Sequence, residues 1–421
     1  MTVLQAFRHR NFRIFYAGQL LSLIGTWMQT VAASWLVYRL SGSALLLGIT
    51  AASQQLPMLL LSPIAGVWAD RSNLQKLLVA TRWLSFGQAV TLAVLSYAGL
   101  LQVWHVVVLS LFLGIITAIE TPARQSFLLD LVSGRGDLPN AIALQAMMFQ
   151  AARFIGPAIA GVLLAVAGEA ICFAVNAACY LGIIAAYAAI RVAPRPPAKL
   201  QRHWREDLAD GFRYAFGFLG TRRLLVLLAA FGFFTAPWSS LMPIFASETF
   251  GGDSRTLGFL IGAVGIGATA ATVVLAARSS VKGMGTLVGT ASMGAGAMLA
   301  LFSLSYSLWM SLVLLCAFGF CLMVTVASTN TLLQTMADED KRSRIIGLYA
   351  MAFIGFAPAG NFSAGALADA IGAHDALLAC GLAIIACGAT FTAGLPRWRT
   401  AVRPVLQRHH EAASRDQGRD A

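Results

Sequence analysis

RIFYAGQLLSLIGTWMQTVAASWLVY, residues 13–38, is an unbroken apolar run of 26 residues. A helix needs about 20 predominantly apolar residues to cross a hydrocarbon core, so this run spans a membrane with length to spare. Arg8, His9 and Arg10 precede it in MTVLQAFRHRNF, and a cleaved leader would carry a shorter apolar region and a small-residue cleavage site. The run therefore reads as a first membrane helix that is retained. Eleven comparable runs follow, near 44–69, 77–98, 103–123, 140–166, 170–190, 222–247, 256–277, 284–304, 308–332, 345–369 and 373–395.

Charge orients them. When connecting segments are assigned alternately to two sides, the side of both termini collects 27 of the 30 basic residues, counting Arg13 and Arg82 at its edge. The other side holds Arg39 and Arg255, while Arg153 lies inside a span. Positive charge is retained on the cytoplasmic side during insertion, which predicts cytoplasmic termini in a bacterial inner membrane. At 58% hydrophobic and 11% charged residues, the composition excludes an ordinary soluble domain. The net charge of +12 is spread over seven segments with no aromatic-interleaved basic surface, so nucleic acid is not an expected partner.

The predicted fold is an all-α membrane protein of twelve helices in two six-helix halves. Expected boundaries are 1–190 for the first bundle, 191–221 for a cytoplasmic linker, 222–395 for the second bundle and 396–421 for a disordered tail. The linker opens with proline-rich RVAPRPPAKLQRH, and Trp204, Leu208, Phe212 and Ala215 then recur at the spacing of an amphipathic helix. A shift of 204 residues superimposes Gly156 on Gly360, Gly161 on Gly365 and Gly168 on Gly372. Parallel six-helix repeats characterise one large transporter architecture.

Several motifs carry a family resemblance. GVWADRSNLQK, residues 66–76, resembles the cytoplasmic signature of the major facilitator superfamily, with Gly66 followed by Asp70-Arg71 and later Lys76. Asn73 stands where a second glycine is usual. The equivalent loop of the second half, AARSSVKG, keeps Arg278 and Lys282 but has Ala277 in place of the acid. ARFIGPAIAG, residues 152–161, is similar to the Gly-Pro element of major facilitator exporters and antiporters. The opening segment and the stretch ETPARQSFLLDLVSGRGDLPNAIALQ resemble the branch that contains the enterobactin exporter, the transmembrane secretion effectors.

The resemblance implies a secondary transporter that exports a small amphipathic organic solute, siderophore-like or drug-like, by proton antiport with alternating access. It implies a conformational latch at Gly66, Asp70, Arg71, Lys76, Glu120 and Arg124, and a gating kink at Gly156, Pro157 and Gly161. Glu120 has a second reading as a local ion pair, because Arg124 lies four residues on and shares its helix face. Two other functions remain open: a lysophospholipid transporter of the same fold, and a transport-incompetent receptor or scaffold.

The residues themselves mark a cavity. Ionisable groups at membrane depth are costly and mark functional sites, which singles out Arg153. Gln29, Gln54, Asn330 and Asn361 are neutral polar residues at central depth in spans that border the cavity of this architecture. Trp27, Trp35, Phe233, Phe234 and Trp238 add aromatic surface. A polar and aromatic cavity with a fixed positive charge suits an anionic or zwitterionic amphipath, with membrane lipid around it. For each amide alone, the competing reading is a helix–helix hydrogen bond worth about 0.6 kcal/mol. No central carboxylate is evident in any span. The chain has no G-x-x-x-x-G-K-[ST] loop for ATP, its six cysteines lie in apolar spans without metal-ligand spacing, and its histidines form no catalytic arrangement. No enzyme activity, metal or cofactor is expected.

Overall fold

The computed structural model describes residues 5–132, 137–192, 213, 216–278, 283–337 and 341–402, without the side chains of 62–64, 66, 67, 69–71, 139 and 342–344. The regular secondary structure of the described residues is all helical, with no strand among them. Span 1 is Arg10–Ser41, span 2 Ala44–Arg71, span 3 Leu74–Tyr97 and span 4 Val103–Asp130. Spans 5 and 6 are the two arms of Leu138–Ala189, which folds back at Gly168 (φ 78°, ψ 179°). Span 7 is built from Leu219–Thr235, Pro237–Ile244 and a π-turn at Phe245–Thr249. Spans 8, 9 and 10 are Ser254–Ala276, Met284–Ser303 and Leu308–Met336. Span 11 is split into Arg342–Ile354 and Ala357–Ile371, and span 12 is Ala373–Ala393.

Local chemistry explains the ends. Asn73, the departure from the loop signature, caps span 3: its side chain accepts from the Lys76 amide at 3.0 Å, satisfying a donor the helix start leaves free. Asp253 does the same for span 8 through the Arg255 amide at 2.9 Å. Span 1 ends on Gly42 in the left-handed region.

The glycine correspondence has a physical basis. Gly168 and Gly372 both take positive φ, 78° and 91°, at the corresponding span 5–6 and span 11–12 turns. Such backbone is open to glycine and strained for other residues. Gly156 packs against Trp27 of span 1, and its counterpart Gly360 against the Phe233 carbonyl of span 7. Gly161 packs on span 8 at Ser254 and Gly258, and Gly365 on span 2 at Ala44 and Gly48. Each half thus lays its fifth helix on its own first and on the second helix of the other half.

The bundles meet chiefly on the face opposite the termini, here the far face. Tyr38 donates to Glu248 across the bundles. Asp369, at the end of span 11, accepts from Ser43 Oγ at 2.8 Å and from the Ala44 amide at 2.7 Å. Ser254 Oγ donates to the Gly161 carbonyl at 3.1 Å. Among the described residues the remaining cross-bundle hydrogen bond is at mid-depth, from Gln150 Nε2 to Met323 Sδ at 3.5 Å. The far face is closed.

Two expectations change. Residues 395–402 are helical rather than disordered, because Trp398 and Val402 bury themselves against the second bundle and Trp398 Nε1 donates to the Gly220 carbonyl at 3.0 Å. Arg82, assigned to a cytoplasmic edge, is only 4% exposed, inside the first bundle. The amphipathic segment at 204–215 and the tail from 403 lie outside the described residues, apart from isolated Arg213 in the former.

Candidate functional site: a cationic, aromatic centre between the bundles

Arg153 lies on span 5, about 22 Å from the start of that helix at 1.5 Å per residue. Its guanidinium stands 5.6 Å from the Trp27 ring of the same bundle and 5.9 Å from the Trp238 ring of the opposite one. Among the described residues no carboxylate pairs with it. Indole faces carry negative quadrupole density, so the two rings stabilise the cation without neutralising it, each by about 0.5–2 kcal/mol. Trp238 is itself buried and lies edge-on to Phe318 at 5.9 Å. Trp238 follows Pro237, which has no N–H to give the helix ladder, although the backbone stays helical through Ala236.

Span 5 distributes its faces in a way that makes Arg153 available. Met148 and Ala152 pack against Leu23 and its neighbours on span 1, and Gly156 against Trp27. Phe154 and Gly161 pack on span 8. At 100° per residue, Ala146, Phe149, Gln150, Arg153 and Pro157 fall between those two contacts.

Other sequence-predicted residues are placed as follows. Gln29 is buried in the first bundle, donating to Gln88 Oε1 at 3.1 Å and accepting from Asn176 Nδ2 at 2.7 Å. This network ties spans 1, 3 and 6 together, so Gln29 faces peripheral helices instead of the bundle seam. Asn361, 1% exposed, accepts from Ser240 Oγ at 2.9 Å and its carbonyl lies against Gly48. It belongs to the closed far-face contact. Gln54 is half-buried, with its backbone carbonyl against Gly114 of span 4. Asn330 is half-buried and accepts from Gln334 at 3.0 Å. The geometry thus brings Arg153 and Trp238 together and ties Gln29 and Asn361 into helix–helix contacts, while Gln54 and Asn330 stay half-buried on their own spans.

Of the latch residues, Gly66, Asp70 and Arg71 have side chains outside the description, and Lys76 is exposed on the first turn of span 3. Glu120 forms ion pairs with Arg82 and, at 3.3 Å, with Arg124. All three are nearly buried. Arg82 also faces the Tyr180 ring at 5.5 Å, and Arg124 the Phe149 ring at 5.6 Å. Gly156 and Gly161 are close-approach points, with Pro157 between them in a continuous helix. Sequence reasoning did not assign a role to Phe149, or to Tyr38, Glu248 and Asp369 as cross-bundle contacts. The one local signal was the position of Glu248 and Asp369 at span ends.

Comparison with known proteins agrees with this architecture. The family model for transmembrane secretion effectors matches residues 1–416. The staphyloferrin A transporter of Staphylococcus aureus is 28% identical over 62% of this chain and 66% of its own length, just under two thirds. The multidrug efflux pump Tap of Mycolicibacterium fortuitum is 26% identical, covering 89% of this chain and 93% of that protein. The enterobactin exporter EntS of Shigella boydii is 24% identical over 81% of each. A bacterial homologue of the lysosomal transporter Spinster, in an inward-facing and occupied conformation, superimposes with a TM-score of 0.72 at 13% identity, covering 91% of this chain and 96% of that one. Twelve apolar helices in two matched halves, with the family model running almost end to end, place the chain in the transmembrane secretion effector family of major facilitator transporters.

Proposed function

We propose that the chain exports small amphipathic anions from the cytoplasm as a secondary transporter, by alternating access coupled to proton antiport. The observation that carries this reading is Arg153, a cation at membrane depth held by one indole from each bundle and paired with no carboxylate among the described residues. A lone charge at membrane depth is costly, about 2.5–3.5 kcal/mol at a helix centre, and an anionic solute offsets that cost when it binds. Because the cage needs both bundles, any rocking of one against the other changes it, which links solute binding to access.

With the termini in the cytoplasm, the closed far face is the external gate and the conformation is inward-facing. The loop at 66–76 serves as the latch of the opposite, outward-facing state, and the kink at Gly156-Pro157 lets span 5 adjust as the seam at Gly161 opens. Siderophore and drug transporters among the relatives support a small organic solute. No phosphate-binding loop is present in the sequence, so an ion gradient supplies the drive.

The test is flux into proteoliposomes carrying only this protein, with an acidic interior and fluorescent naphthalene-1-sulfonate, a permanent anion, outside. Accumulation above protein-free vesicles is expected, and Arg153→Gln should lower it by about tenfold, the loss of roughly 1.4 kcal/mol of charge-assisted contact. Trimethyl(1-naphthyl)ammonium should not accumulate. Absence of sulfonate flux would leave a receptor or scaffold, and equal handling of both ions would remove Arg153 from the site.

A further inference from the structure

The first bundle carries three guanidiniums at membrane depth, on Arg82, Arg124 and Arg153, and among the described residues one carboxylate, Glu120, to meet them. Their neighbours assign that carboxylate. Arg82 makes the shorter contact with Glu120 and is covered by Tyr180 of span 6, so this pair is closed off within the bundle. Arg124 is held more loosely, at 3.3 Å, and its Nε, like that of Arg82, has no hydrogen-bond partner although its side chain is 90% buried. Removing two ions from water is offset when they neutralise each other, and a third ion in the cluster gains no such compensation. Among the described side chains one carboxylate thus serves three guanidiniums, an excess of two positive charges that we count on Arg124 and Arg153.

Those two charges share one line. Arg124 lies over the Phe149 ring, and Phe149 is four residues before Arg153, on the face of span 5 left free by spans 1 and 8. Four residues are about 6 Å along a helix, one turn. Phe149 is 38% exposed, so its ring is open beside a covered cation. The same pairing of guanidinium and aromatic face recurs at Arg153 with Trp27 and Trp238. Each station offers a positive charge and a flat apolar surface.

We infer that the transported solute carries two anionic groups on a planar apolar framework, and that Arg124 with Phe149 forms a second subsite one helical turn toward the terminal face from Arg153. This rests on the reading of Arg153 as the central anion site. A dianion neutralises both charges, whereas a monoanion leaves one behind at membrane depth. The Arg124 station lies nearer the terminal face and receives the solute first, or last releases its trailing group.

Calorimetric titration of the purified full chain in nonionic detergent tests this with naphthalene-1,5-disulfonate and naphthalene-1-sulfonate, which share a ring system. In the wild type the disulfonate should bind roughly tenfold tighter or more, beyond the factor of about two that a second identical group gives by statistics. Arg124→Gln should shrink that advantage to about twofold, and Arg124→Lys should keep most of it. Phe149→Ala, which leaves the Arg124–Glu120 pair in place, should cost the disulfonate about three- to fivefold and covers the case in which Arg124→Gln fails to fold. Arg153→Gln should weaken both probes. A disulfonate advantage that survives Arg124→Gln and Phe149→Ala overturns the second subsite, as does a wild type that binds the two sulfonates alike; both leave the central site standing. Binding indifferent to Arg153→Gln, or no binding of either sulfonate, overturns the central site and the inference with it.

Discussion

The two seams that close the far face are related by the internal repeat, yet they are sealed by different chemistry. Where span 5 meets span 8, Gly161 and Gly258 bring two backbones together and Ser254 donates to a carbonyl. Where span 11 meets span 2, Gly365 and Gly48 make the matching approach, but the closing group is a carboxylate: Asp369 caps the start of span 2 from the other bundle. A helix N-terminus presents free amides and a partial positive charge, so an anion there gains from hydrogen bonds and dipole together. Backbone packing is thus common to both seams, while electrostatic locking belongs to one. The repeat preserved the shape and let the polar closure diverge.

That contrast can be broken or sharpened by labelling Leu45→Cys, on the 2–11 seam, with a membrane-impermeant maleimide as a measure of far-face opening. Gly48→Val should have the largest effect. Its Cβ would stand 2.4 Å from the Asn361 carbonyl, a backbone atom that cannot swing aside. Overpacking of this kind costs about 1–3 kcal/mol, so labelling should rise by about fivefold to a hundredfold and transport should fall accordingly. Asp369→Ala removes the cross-bundle cap, worth about 1 kcal/mol, and should raise labelling about fivefold. Tyr38→Phe removes the neighbouring bond to Glu248 and should raise it about threefold, less than a buried charge-assisted bond would give because this contact is exposed to water. Ser254→Ala, on the neutral seam, should change it by about twofold or less. Equal effects of Asp369→Ala and Ser254→Ala would show that both seams close by packing alone.

What was legible in the sequence depends on how local its physics is. Glycines 156, 161 and 168 announced their repeat partners because each answers a constraint on its own backbone, a positive φ or a close approach. Arg153 was legible because a charge in an apolar run is conspicuous whatever surrounds it. Gln29 and Asn361 were not assignable, since a central amide serves a cavity or a neighbouring helix equally well until the helix is rotated into place. Gln29 turned toward Gln88 and Asn176, and Asn361 toward Ser240. Asp369 and Ser43 are 326 residues apart, and nothing near either residue names the other.

By itself the sequence determined the number of spans, their division into two matched sixes and the side on which basic residues gather. Transfer of a segment into hydrocarbon is a sum over its own twenty or so residues, and needs no knowledge of neighbours. Only the tertiary structure decided which polar groups meet: that Glu120 joins Arg82 and Arg124, that Trp238 reaches across to Arg153, and that one seam is capped by a carboxylate. Those pairings depend on the azimuth of each helix about its axis and on its depth beside another. Both are fixed by packing between residues far apart in the chain.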